Sequence, residues 1–166
     1  MTKKEIFQKI NTYTSAIGIG VHKVDMERPW GGFFVIDEKD AGEFIKHFFP
    51  EINKSDLPEG ARLSPKILLV EPGKKLSWQY HHRRAEIWKL VEGTAAVATS
   101  DTDKEKEITV LGIGDIVKLK QGERHRLIGT QEWGVIAEIW MHTDPSNPSD
   151  ENDIVRLQDD YGREGA

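Results

Sequence analysis

Apolar and polar residues alternate in short runs through the second half of the chain, and this alternation predicts β-strands. Turn-forming Gly, Asp, Lys and Glu residues separate the runs, and no helical spacing lies between them. The eight predicted strands cover residues 65–70, 76–81, 86–91, 95–99, 106–111, 115–119, 125–128 and 135–141. Consecutive short strands of this kind favour an antiparallel barrel or sandwich.

The first 62 residues have a different pattern. Ile6, Phe7 and Ile10 share one helical face, which predicts a helix over residues 3–10, and a second helix is predicted over residues 40–49, before Pro50. A glycine turn precedes a strand at 33–36. We therefore expect one domain with three parts: an N-terminal extension (1–62) whose short helices and strand pack on the barrel, a barrel core (63–143), and a C-terminal tail (144–166) that wraps the barrel.

Composition narrows the class of protein. The net charge of −5 is spread over interspersed positive and negative residues, so nucleic acid and anionic membranes are not expected partners. The chain has no Cys, which excludes disulfides and thiolate metal sites, and no apolar run reaches the ~20 residues of a membrane span. The first residues lack the apolar core of a signal peptide, so we expect a cytoplasmic protein.

The stretch 73–93 contains the clearest candidate chemistry. Gln79 and His81 project from the same face of a strand, and an antiparallel return would bring Glu86 beside them. An amide oxygen, an imidazole and a carboxylate suit a borderline divalent ion. His125 is the candidate for a fourth ligand, although taken alone it is better explained as a polar residue at the start of a strand.

The spacing in these two stretches resembles the paired motifs of the cupin superfamily. The first motif falls on Gly73, Gln79, His81, Glu86 and Gly93, with Gln in the first His place. The second falls on Gly114, Lys120, Gly122, His125 and Gly129, with Lys for Pro and Gly for Asn. The resemblance implies an all-β cupin double-stranded β-helix (jelly-roll) barrel in which Gln79, His81, Glu86 and His125 bind one divalent metal ion. Zinc is the first choice, with manganese, nickel or iron as alternatives.

Within the superfamily, the chain resembles type II mannose-6-phosphate isomerases. The similarity lies in LSWQYHHRRAEIWKLVEGTA, in ERPWGGF at 27–33 and in ENDIVRLQDDYGR at 151–163. It implies a metal-dependent isomerase that converts mannose 6-phosphate to fructose 6-phosphate, with a homodimer through edge strands as the family-based expectation. Arg83 and Ile87 stand where the family commonly has His, and the connection at 41–62 is long. These departures leave two alternatives: an isomerase or epimerase of another sugar, and a non-catalytic sugar-binding cupin.

Four further residues are candidates for contacts with a sugar phosphate. The resemblance places Arg156 in the active site, where it would bind the phosphate and assist catalysis; the alternative is a surface arginine paired with Asp159 or Asp160. Glu138 would transfer a proton if it faces the cavity, or would face solvent on an edge strand. Trp30 and Trp88 would line a sugar pocket or belong to the core. Arg84 and Arg126 are expected outside the barrel, because strand alternation would point them outward.

Overall fold

The computed structural model describes residues 1–163 as two antiparallel β-sheets with two α-helices and two short 3-10 helices, Glu38–Asp40 and Lys54–Asp56. The six-stranded sheet has the order β1-β2-β3-β10-β5-β8, and the five-stranded sheet has the order β11-β4-β9-β6-β7. The strands are β1 (Val21–Asp25), β2 (Gly31–Ile36), β3 (Lys66–Val70), β4 (Trp78–Tyr80), β5 (Arg84–Glu92), β6 (Ala95–Ser100), β7 (Ile108–Leu111), β8 (Ile116–Leu119), β9 (Arg124–Gly129), β10 (Gly134–His142) and β11 (Val155–Gln158). The eight predicted strands correspond to β3–β10, and the predicted all-β barrel with short N-terminal helices is confirmed.

Two central strands of the larger sheet, β3 and β10, are buried on both faces. Ile67 and Leu69 of β3 belong to a cluster shared with the helices, whereas Leu68 and Val70 belong to the cluster inside the barrel. β10 alternates in the same way. Because side chains on a strand alternate between faces, Ile136 in the inner cluster places Glu138 and Trp140 toward the barrel interior as well.

Helices α1 (Lys3–Ala16) and α2 (Ala41–Phe48) cover the outer face of the larger sheet. α1 begins at a Thr2 cap whose Oγ1 accepts from the Glu5 backbone N–H at 3.1 Å. It is longer than predicted because its buried face continues from Ile10 to Thr14, one helical turn further on. In α2, phenylalanines at 44 and 48 form most of the buried face.

The N-terminal segment reaches the barrel through β1 and β2. Gly31 has φ +146°, and a Cβ there would lie 1.9 Å from the Leu69 carbonyl oxygen; a Cβ at Gly32 would lie 2.2 Å from that of Asp25. Only glycine permits these approaches. They bring the preceding residues, Arg28 and Trp30, to the cavity inside the barrel.

The C-terminal tail adds a strand that the sequence did not predict. β11 pairs with β4, and Arg156 lies directly opposite Gln79. The last three residues of the predicted tail, 164–166, lie outside the described residues. The division into 1–62, 63–143 and 144–166 stays a prediction, as does the cytoplasmic location. No helix within residues 1–163 has the length and apolarity needed to cross a membrane.

Candidate metal site and sugar pocket

Three predicted ligands meet inside the barrel. His81 Nε2 lies 3.3 Å from Glu86 Oε1, and His125 Nε2 lies 3.7 Å from Glu86 Oε2. One ligand atom from each residue falls within 4.8 Å of the others, and all three side chains are buried. His81 directly follows β4, Glu86 is on β5 and His125 is on β9. The cluster therefore joins the two sheets and could hold a metal ion.

Gln79 lies at the edge of this cluster. It pairs directly with His125 across β4 and β9, which places both side chains on the same face. Its Nε2 is 3.4 Å from His81 Nε2, while its Oε1 accepts from Ser77 Oγ at 2.6 Å. Coordination by Gln79 requires the amide oxygen, so its carbonyl would have to turn away from Ser77.

Backbone carbonyls orient both imidazoles. His81 Nδ1 lies 2.7 Å from the Asp153 carbonyl oxygen, and His125 Nδ1 lies 2.9 Å from that of Glu123. A carbonyl can only accept, so each Nδ1 carries the proton and each Nε2 presents its lone pair to the cluster. A second hydrogen bond of this kind is typical of metal-ligating histidines.

The ionisation states also suit a cation. Burial lowers the pKa of His81 to about 3 and lowers that of His125 as well, so both imidazoles are neutral at pH 7. Burial opposes ionisation of Glu86, but Arg84, His81 and His125 together hold the pKa of Glu86 at about 2. Two neutral imidazoles and one carboxylate are the protonation states that divalent metal ions require.

Two buried atoms of the cluster make no hydrogen bond with any residue that the structure describes. These are Glu86 Oε2 and His125 Nε2, which lie 3.7 Å apart. A buried acceptor without a donor costs free energy, and both atoms here are acceptors. A cation between them would remove this cost, so the residues fit a metal ion.

Arg84 lies beside the cluster, and the expectation that it points outward is wrong. Its Nε donates to Glu86 Oε1 at 2.8 Å, its Nη2 lies 3.3 Å from His81 Nε2, and its Cζ lies 3.6 Å from the centre of the Trp140 ring. Arg84 is two residues before Glu86 on β5, and residues two apart share a strand face. The sequence therefore contained the signal that would have placed it correctly.

Arg126 was expected outside the barrel in a salt bridge. It pairs with Glu105 at 3.2 Å, but it is only 2% exposed. Its Nε donates to the Leu76 carbonyl oxygen, and its Nη2 donates to Gln158 of β11. The strand added by the tail therefore contributes to the burial of Arg126, and this burial could not be predicted without knowledge of β11.

Glu138 faces the cavity, so its solvent-facing alternative is wrong. It is 5% exposed, and its two carboxylate oxygens accept from Trp88 Nε1 at 2.7 Å and Trp140 Nε1 at 2.9 Å. Burial and the charge of Glu86 raise the pKa of Glu138 to about 8, against the opposing effect of Lys66. Glu138 is therefore largely protonated at pH 7.

Trp30 and Trp88 are both core and cavity residues. Trp30 is 5% exposed and Trp88 is 2% exposed, and both line the cavity that contains Glu86 and Glu138. The two predictions for these tryptophans, a position in the core and a position lining a cavity, are therefore compatible.

Sequence reasoning missed Lys66, a lysine at the start of the apolar strand β3. It is 6% exposed, lies opposite Glu138 in the β3–β10 pairing, and forms an ion pair with Glu151. Its Nζ lies 4.3 Å from the centre of the Trp140 ring and 4.9 Å from that of Phe33. Lys66 directly precedes four apolar residues that are all buried, and this sequence context was the signal that the lysine is also buried.

Arg156 is half-buried and lines the same cavity. Asp159, the expected partner in the surface alternative, accepts two hydrogen bonds from Arg163, at 2.9 and 2.8 Å, and its charge also acts on Arg156. Arg28, which the sequence did not single out, also lines the cavity. The cavity therefore combines carboxylates, indoles and several guanidinium groups.

The curated proteins similar to this chain are much longer than it is. The mannose-1-phosphate guanylyltransferase ManC of Salmonella typhimurium LT2 is 32% identical over 162 residues, which cover 96% of this chain and 27% of that protein. The mannose-1-phosphate guanylyltransferase of Escherichia coli K12 is 33% identical over 158 residues, 94% of this chain and 27% of that protein. The chain thus spans about a quarter of the length of these relatives.

These relatives overturn the predicted activity. They are named as guanylyltransferases, which transfer a nucleotidyl group between molecules, whereas an isomerase rearranges one molecule. The prediction of a metal-dependent aldose-ketose isomerase, an intramolecular oxidoreductase acting on mannose 6-phosphate, is wrong. The alternative of an isomerase or epimerase of another sugar is wrong for the same reason.

Solved structures and a family model agree on the fold. The capsular polysaccharide assembling protein CapF of Staphylococcus aureus superimposes with a TM-score of 0.52 at 16% identity, over 82% of this chain and 32% of that one. At this identity the likeness shows the fold alone, and the predicted cupin barrel is confirmed. The model of the mannose-6-phosphate isomerase C-terminal family matches residues 42–159. This chain therefore belongs to the mannose-6-phosphate isomerase C-terminal family, a family of cupin barrels.

Proposed function

We propose that this chain is a metal-binding domain that binds a phosphorylated mannose, and that it serves the transfer of a guanylyl group to mannose 1-phosphate. One observation carries the proposal: a buried His81, Glu86 and His125 cluster lies beside a cavity lined by indoles and guanidinium groups. A metal and aromatic faces suit sugar hydroxyls and C–H groups, and guanidinium suits phosphate. The names of the relatives supply the sugar and the reaction.

In this proposal His81, Glu86 and His125 hold the metal ion, with Gln79 as a fourth ligand after its amide turns. Zinc remains the first choice, with manganese, nickel or iron as alternatives. When bound, the ion supplies a Lewis acid that attracts sugar oxygens. With Glu86 as the single anionic ligand, the ion would keep a net positive charge.

The remaining predicted site residues receive binding roles in place of catalytic ones. Trp30 and Trp88 present apolar ring surface to the sugar. Glu138, held between two indole N–H groups and largely protonated, offers a hydrogen bond to a sugar hydroxyl. Arg156 binds the phosphate; its place opposite Gln79 in the β11–β4 pairing, beside the proposed metal ligands, supports this role.

The test is calorimetric titration of mannose 6-phosphate and mannose 1-phosphate into the metal-loaded protein. We expect saturable binding that disappears with a chelator and returns with added metal. His125→Ala should abolish it, whereas His22→Ala, at an exposed position on β1, should not. No binding of either compound by the metal-loaded protein would reject the proposal.

The link to guanylyl transfer needs its own test. If the chain serves a reaction on mannose 1-phosphate, that compound should displace mannose 6-phosphate from the same site. Failure of millimolar mannose 1-phosphate to compete would separate this chain from the reaction of its relatives, while leaving metal-dependent binding of the 6-phosphate intact.

A further inference from the structure

Three arginines from distant parts of the chain line one cavity. Arg28 follows β1, Arg156 lies on β11 and Arg163 ends the described tail. The family model matches residues 42–159, so Arg28 and Arg163 lie outside the matched segment, on opposite sides of it. The fold therefore brings the two flanks of this segment to one place.

The three guanidinium groups share an environment with the metal cluster. Arg156 lies directly opposite Gln79 in the β11–β4 pairing, so its side chain projects from the same face as that residue. Arg28 and Arg163 are near enough that their charges lower the pKa of Arg156, in addition to the larger effect of burial and against the effect of Asp159. Like charges held together in this way favour binding of an anion.

Aspartates fix the outer two arginines. Arg28 Nε donates to Asp25 Oδ2 at 3.2 Å, and Arg163 forms a two-bond pair with Asp159. A guanidinium group has five N–H donors. Its aspartate accepts a hydrogen bond from one of them in Arg28 and from two of them in Arg163. The pairs hold the two groups in position without using their full donor capacity.

Positively charged side chains outnumber negatively charged ones in the cavity lining, whereas the reverse holds for the whole chain. The chain has a net charge of −5. The cations lining the cavity are Arg28, Lys66, Arg84, Arg156 and Arg163, and the carboxylates lining it are Glu86, Glu138 and Glu151. The five cations outnumber the three carboxylates even when all three carboxylates are charged. This excess suits a phosphate monoester, which carries a charge of about −1.5 to −2 at pH 7.

We propose that Arg28, Arg156 and Arg163 form a phosphate subsite, completed by residues on both sides of the family-matched segment. The proposal rests on the proposed function for the identity of the sugar, but not for the recognition of phosphate. Guanidinium groups bind phosphate through paired hydrogen bonds that an ammonium group cannot form. In this proposal the sequence ERPWGGF at 27–33 contributes to phosphate binding through Arg28.

Calorimetric titration of inorganic phosphate and mannose 6-phosphate tests the subsite in the metal-loaded protein. Arg28→Gln and Arg163→Gln should each weaken binding of both compounds by about tenfold or more, the usual effect of removing a charge-assisted hydrogen bond. Metal content should not change. Arg62→Gln is the matched control, because Arg62 is exposed and lies outside this cavity.

Arg163→Lys provides a second variant in case the glutamine loosens the tail. It should melt as the unaltered protein does and still bind phosphate more weakly. Unchanged phosphate affinity in folded Arg28→Gln and Arg163→Lys would overturn the subsite, as would the absence of phosphate binding by the unaltered protein.

The outcomes for the two proposals are distinct. If inorganic phosphate binds and the arginine variants lose it while neither mannose phosphate binds, the subsite stands and the proposed function fails. If mannose 6-phosphate binds equally well to all variants, the proposed function stands and the subsite is wrong.

Discussion

Each candidate metal ligand has a separate role in the cluster of His81, Glu86 and His125, and Glu86 supplies the carboxylate of that cluster. Glu86→Gln keeps the size of the side chain but removes the charge that attracts a cation. Loss of a residue that only hydrogen-bonds to a ligand typically costs about 10–100-fold in metal affinity, and we expect a larger loss here. Metal content after dialysis measures the effect. Glu107→Gln, at an exposed position, is the control, and equal metal content in the two variants would exclude Glu86 as a ligand.

Glu138 should make the stability of the metal-free protein depend on pH. Its pKa is raised to about 8 in the folded protein from an ordinary value of 4.5, so between these values the folded state keeps a proton that the unfolded state has lost. The contribution of Glu138 to the unfolding free energy is therefore complete below pH 4.5 and is lost as pH rises to 8. The lowered pKa of His81, about 3 against an ordinary 6.5, has the opposite effect between pH 3 and 6.5. The unfolding free energy should therefore fall mainly between pH 6.5 and 8, by at most about 1.4 kcal/mol per pH unit.

The measurement is urea unfolding at several pH values with a chelator present. Glu138→Gln cannot titrate, so between pH 6.5 and 8 its unfolding free energy should vary less with pH than that of the unaltered protein. Parallel pH curves for the two proteins would show that Glu138 does not hold its proton.

The ligand cluster was predictable from sequence, and the surrounding cations mostly were not. Strand alternation and an antiparallel return are local, so they place Gln79, His81 and Glu86 together without knowledge of the rest of the fold. Arg28 and Arg163 reach the cavity through the β1–β2 segment and the tail, whose contacts are distant in sequence. Their positions depend on pairings that no local pattern specifies.

Among the secondary-structure elements, the presence of a strand was easier to predict than the residues at which it begins and ends. β4 spans only Trp78–Tyr80, although alternation extends over residues 76–81. β11 was missed because its alternating sequence, VRLQ, is only four residues long and lies in a polar tail, and it becomes a strand by pairing with β4. Strands of this kind depend on a partner edge and not on their own propensity.

The close approach of β2 to its neighbours gives a prediction about glycine. Gly31→Ala should lower the unfolding free energy by about 1–3 kcal/mol or more, because of strained backbone at φ +146° and a clash with the Leu69 carbonyl oxygen. Gly42→Ala should instead raise it by about 0.5–1 kcal/mol, since Gly42 is in α2 and a Cβ there meets nothing within 4 Å.

Chemical unfolding of both glycine variants measures these opposite effects. They share the same added methyl group, so any general effect of alanine cancels in the comparison. Equal stability of the two variants would show that β2 does not require glycine at position 31.

At the scale of the whole molecule, the apolar pattern predicted the barrel but not the extent of its outer layer. Apolar residues occur on both the inner and the outer face of β3 and β10. This pattern indicates that other elements cover the outer face, but it does not specify which elements they are. The structure shows that α1 and α2 provide that layer. The opposite face of the same sheet is then left for the cavity, where polar residues such as Lys66 and Glu138 interrupt the apolar sequence.

The metal cluster connects the two sheets, because Glu86 lies on the six-stranded sheet, whereas His125 lies on the five-stranded one and His81 follows its strand β4. A bound ion should therefore stabilise the whole barrel and not a single loop. A metal present at 100 times its dissociation constant adds about 2.7 kcal/mol, which should raise the melting temperature by about 5–10 °C in a domain of this size. Differential scanning calorimetry with and without metal measures the shift, and Glu86→Gln should abolish it. A shift of the same size in Glu86→Gln would place the ion elsewhere, and binding without any shift would mean that the ion binds the unfolded chain as tightly as the folded barrel.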